Sequence, residues 1–107
     1  MTLLDFLNMD VERTTFQRFV AFHEANPQVY ENLEGLARGL HDAGRQRIGM
    51  KMLFEVVRWQ HYMMTSDPSS EFKLNNNYTA HYARLLMSRN SGWENLFETR
   101  HLKEGDW

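Results

Sequence analysis

Cysteine is missing from this 107-residue chain. Its absence excludes disulfides, thiol nucleophiles and zinc–thiolate centres. Proline occurs only twice, and the six glycines stand singly at positions 35, 39, 44, 49, 92 and 105. None of them makes the glycine-rich loop that cradles a phosphate. Apolar runs never exceed four residues, far short of a membrane span. The first five residues contain no basic stretch leading into an apolar one, which argues against a secretory signal. Net charge is low, at −2, whereas a protein that holds nucleic acid by phosphate neutralisation is usually basic.

Aromatic residues are plentiful at 13%, within a 42% hydrophobic composition. That is enough for one folded domain over residues 1–107. Residues 1–13 read as a short lead-in and 101–107 as a polar tail. The charge is uneven. Residues 1–44 hold three arginines against seven acids, while residues 45–100 hold eight basic residues against five acids. An acidic first half therefore faces a modestly basic second half.

Helical periodicity dominates the chain. Phe16, Phe19, Val20 and His23 recur at helical spacing and predict a helix over 15–25. Asn26 and Pro27 stop it and start the next, with Asn26 as N-cap and Pro27 at the first helical position. Val29, Leu33, Leu36, Ala37 and Leu40 then mark a helix over 27–42, closed by Gly44. Gly35 and Gly39, four apart on it, imply a close approach of a second helix. A third helix is predicted over 46–64, buried on Met50, Leu53, Phe54, Val57 and Met64. Ile48, Met52 and Val56 widen that stripe, which makes this helix the expected centre of the domain. A loop follows at 65–77. Asn77 then caps a fourth helix over 78–89, with Tyr78, Tyr82, Leu85 and Leu86 inward. Ser91 and Glu94 have capping-box spacing and predict a short fifth helix carrying Trp93, Leu96 and Phe97. The expectation is an all-α domain of four to five helices. An extended piece near 72–74 would make it winged-helix-like.

No catalytic set accompanies the five histidines, at 23, 41, 61, 81 and 101. Their spacing gives no local metal-ligand pair, and Glu55 with His61 lacks a nucleophile. The expectation is a binding protein with no catalytic residue, metal or cofactor. Two faces are candidates. The fourth helix shows a polar stripe of Asn77, His81, Arg84 and Ser88 suited to the major groove. With Asn76, Lys51, Lys73 and Arg89 it would contact double-stranded DNA, the asparagines reading adenine and the basic groups reading guanine or phosphate. The rival face is Trp59, Tyr62, Met63 and Trp93, an adhesive patch for a protein partner or a second copy. A structural or dimeric domain without nucleic-acid contact is the third reading.

The run from Gly49 to Trp59, followed by the run from Phe72 to Met87, resembles small uncharacterised helical proteins of bacteriophages and bacterial mobile elements. The resemblance covers most of the chain and implies a cytoplasmic setting in a bacterial cell. It implies a role in phage regulation, in DNA transactions or in binding a host protein.

Overall fold

The computed structural model describes residues 15–66 and 74–99. The lead-in, the tail, Lys73 and most of the expected extended piece lie outside them. The domain is all-α. It comprises α1 (15–25), α2 (Pro27–Asp42), α3 (Met50–Met64) and α4 (Thr79–Arg89), the last entered through a 3₁₀ turn at Asn76–Tyr78. No strand occurs among the described residues, and Leu74 is buried outside regular structure. The only sheet-like pairing there is a parallel bridge between Ile48 and Phe97, so the described residues contain no wing.

The α1–α2 corner forms at Asn26–Pro27, although Asn26 does not cap α2. Its side-chain Nδ2 donates to the Phe22 carbonyl at 3.0 Å, as does its backbone N–H at 2.9 Å. Both bonds close the end of α1, whose last carbonyls would otherwise lack partners. At the far end of α2, Gly44 adopts φ +94°. The Arg45 N–H reaches the Leu40 carbonyl and the Gly44 N–H reaches that of His41, each at 3.0 Å. This is a Schellman closure, and its left-handed residue favours glycine.

α3 begins four residues later than its periodicity predicts. Ile48 is the cause: its N–H donates to the Leu96 carbonyl at 2.8 Å, which holds the chain extended until Gly49. The predicted fifth helix is absent for a related reason. Residues 90–99 run as consecutive turns, with Trp93 N–H bonded to Asn90 O and Leu96 N–H to Trp93 O. Gly92 takes φ +89°, and the Glu94 carboxylate accepts from the Gly92 N–H instead of closing a capping box. Trp93, Leu96 and Phe97 are nevertheless buried. The segment is a plug against the α2–α3 connection.

α3 packs against both α2 and α4, as its wide apolar stripe predicts, and the aromatic contacts of the core gather on α4. Tyr82 is fully buried. Phe19 of α1 meets its ring edge-on at 4.8 Å, and Phe54 of α3 does so at 6.0 Å, the geometry that aromatic quadrupoles favour. Every residue of α4 through Met87 is buried or half-buried. α3 buries Met50, Leu53, Phe54 and Val57, and α4 buries His81, Tyr82, Ala83 and Leu86. Met52 and Met64, expected inside, are exposed, and Val56 is half-buried.

Gly35 and Gly39 sit on the outside of α2, and nothing lies within 4 Å of a Cβ built at either. The close helix approach their spacing implied is absent. Gly35→Ala should therefore stabilise the fold by about 0.5–1 kcal/mol, because the unfolded chain loses freedom and no clash arises. Phe54→Ala should cost about 3–5 kcal/mol by emptying the α3–α4 contact. Urea unfolding monitored by circular dichroism measures both.

Candidate functional site

The two sets of candidate residues are dispersed in different ways. Of the DNA set, Lys51, Asn76 and Asn77 come together. They border an open cleft of about 880 Å³ between the first turn of α3, the residues before it and the start of α4. Arg47, Thr79, Ala80 and Glu98 line it as well. The first turn of α3 carries no acidic residue and no side-chain cap, so its free N–H groups add positive potential at one end of the cleft. Glu98 offsets part of it, 3.9 Å from Arg47.

The rest of the DNA set is elsewhere. His81 is buried, not on a polar stripe: its ring stacks on Phe19 at 5.1 Å and lies 6.0 Å from Phe16. Its Nδ1 is 3.3 Å from the Asn77 carbonyl, and its Nε2 is enclosed with no hydrogen-bond partner among the described residues. Arg84 is half-buried, and desolvation pushes its guanidinium below the usual range. Arg89 lies over the Tyr30 ring at 5.0 Å, on the side of α4 that faces α2. Lys73 is outside the described residues. Helix amphipathicity suggested a solvent-facing stripe on α4. The packing of α1 on one side and α3 on the other removes it.

Arg58, on α3, is a residue that the sequence analysis did not single out. It is the clamp of this region. Its guanidinium bonds the Leu74 carbonyl and the Glu55 carboxylate, and it donates to Asn76 Oδ1 at 2.6 Å. Asn75 Oδ1 accepts from the Asn77 N–H at 2.9 Å, so Asn75 rather than Asn77 caps the entry to α4. These bonds fix where Asn76 and Asn77 stand at the cleft.

The second set gathers more completely. Trp59, Tyr62 and Met63 lie on the outer side of α3, exposed by 63%, 55% and 66%. Met52, 51% exposed, and half-buried Val56 extend the same side. At 100° per residue, Met52, Val56, Trp59 and Met63 fall within one narrow stripe opposite the core-facing Met50, Leu53, Phe54 and Val57. α3 is thus apolar on two sides, and only one is covered among the described residues. Trp93 does not belong with them. It is buried under Arg38, whose guanidinium lies 5.1 Å from the indole centre. The 4-3-4 spacing of the outer stripe is the signal in the sequence that separates Met52 and Val56 from the core.

Among the described residues, no three His, Asp or Glu side chains are placed to share a metal ion, and no helix is long and apolar enough to cross a membrane. No family model, curated protein or solved structure matches the chain.

His23 and His81 flank Phe19, and burial lowers the pKa of both. At His23 nearby Arg89 adds to the lowering and Glu24 opposes it less strongly; at His81 the Asn77 carbonyl opposes the effect of burial, and Arg84 adds a smaller lowering. The unfolded chain therefore binds these protons more readily than the fold. Stability from the two rings should be fully present above the ordinary imidazole value near pH 6.5 and lost as pH falls through their lowered values. Melting temperature measured from pH 8 to 5 should show this fall, and it should be shallower in His81→Phe.

Proposed function

We propose that the protein is a non-enzymatic interaction module, and that the outer side of α3 docks an apolar helix of a protein partner. One observation carries this reading: Met52, Trp59 and Met63 present a continuous apolar stripe on a helix whose opposite side is anchored in the core. The helix is already ordered, so a partner gains apolar burial without an ordering cost on this side. Exposed Trp, Tyr and Met in a row are the side chains that concentrate binding energy at protein interfaces. The resemblance to phage-borne proteins supports a cytoplasmic setting in a bacterial cell.

A second reading rests on the cleft. Arg47, Lys51, Asn76 and Asn77 beside the open N-terminus of α3 have the chemistry to contact the phosphates of double-stranded DNA. It calls for backbone contact at the cleft, because His81 in the middle of α4 is buried.

Two measurements test these readings. Trp59→Ser and Met63→Ser should leave the melting temperature within about 2 °C, as exposed substitutions do, and should abolish capture of a protein partner in affinity purification. Equal capture by wild type and variants would overturn the α3 reading. For the cleft, fluorescence anisotropy with mixed duplex DNA should show binding that weakens steeply between about 50 and 200 mM salt and weakens further in Lys51→Ala. No binding at the lower salt would overturn it.

A further inference from the structure

The outer stripe of α3 is self-complementary. Met52, Val56, Trp59 and Met63 follow one another at steps of four, three and four, the d–a–d–a order of a heptad seam. α3 is 15 residues long, about 22 Å, so the seam occupies most of it. No charged residue interrupts the seam. In side-chain size it reads intermediate, small, large, intermediate.

We infer that the partner helix is α3 of a second copy of this chain, packed antiparallel about a two-fold axis that passes between Val56 and Trp59. This inference rests on the reading of α3 as the docking side and names its occupant. In the antiparallel pair, Met52 meets the second copy's Met63, and Trp59 meets the second copy's Val56. Each layer then joins a large residue with a small one or two of similar size, the way facing helices fill space. A parallel pair stacks Trp59 on Trp59 and Val56 on Val56, which overfills one layer and underfills the next.

The flank agrees. Glu55 and Tyr62 border the seam on the same side, both exposed. In an antiparallel arrangement that side faces its own counterpart. Glu55 of one copy then stands near Tyr62 of the other, and the phenol O–H can donate to the carboxylate. Arg58, on the same side, is held back by Glu55, Leu74 and Asn76, so it does not point a positive charge across the axis.

The area sets the strength. Met52, Trp59, Tyr62 and Met63 together expose on the order of 500 Å² per copy. A pair would bury about 1,000 Å² in total, at the lower edge of specific interfaces. The expected dimer is therefore reversible, with a dissociation constant on the order of 10 μM.

Sedimentation equilibrium of the full chain from about 1 to 200 μM tests the association, and thiol crosslinking tests the geometry. The chain has no cysteine, so Met52→Cys and Met63→Cys each carry a single thiol on an exposed side chain. With a short bismaleimide crosslinker, a mixture of the two variants should give covalent dimer roughly tenfold faster than either variant alone, and Trp59→Ser introduced into both should remove the difference. Crosslinking of each variant to itself at or above the rate of the mixture would overturn the antiparallel pairing. A chain that stays monomeric throughout the concentration range would overturn self-association, while Trp59-dependent capture of a different protein would still support α3 as a docking side.

Discussion

The ring of Tyr82 is the contact on which the arrangement of this domain depends. Phe19 approaches it from α1 and Phe54 from α3, so one fully buried side chain couples three helices. The other aromatic groups join through it. Tyr78 touches Phe19 and Phe22, and His23 lies edge-on to both Tyr82 and Tyr30. The Tyr82 hydroxyl has no hydrogen-bond partner among the described residues, and burial pushes its pKa well up. The fold tolerates that uncompensated polar atom because the surrounding ring contacts and apolar burial outweigh it.

Enclosing α4 determines what the remaining surface can do. α1 and α3 pack on α4, and its histidine becomes part of the aromatic packing. The polar groups that stay accessible are those at its entry, where Arg58 ties Leu74 and Asn76 to α3. α3 packs on both α2 and α4 and has two apolar sides. It contributes one apolar side to the core and presents the other outward.

The C-terminal plug couples the N-terminal end of α3 to the core. Ile48 bonds to Leu96 and pairs with Phe97, while Trp93 closes over α2 beneath Arg38. The connection before α3 is thereby held extended, and the helix is forced to start at Met50. A delayed start leaves the first N–H groups of α3 open toward the cleft instead of consumed by an earlier turn.

Local chemistry made much of this readable. The bounds of α2 follow from Pro27 at its start and Gly44 beyond its end, and α1 and α4 from the apolar spacing of Phe19, Tyr78, Tyr82 and Leu86. Those signals act within one or two helical turns, so the chain order contains them. The assignment of sides was different. Met52, Val56, Trp59 and Met63 are as apolar as Met50, Leu53, Phe54 and Val57, and periodicity alone cannot rank two opposite apolar stripes on one helix. His81 and Trp93 were likewise undetermined, since each lies on a residue pattern that suits a surface as well as an interior. Sequence by itself determined where α1, α2 and α4 run, because capping and propensity are local, whereas the start of α3 and the turns at 90–99 follow from the contact of Ile48 with Leu96. Only tertiary structure decided which sides were covered, because burial depends on contacts between residues far apart in the chain.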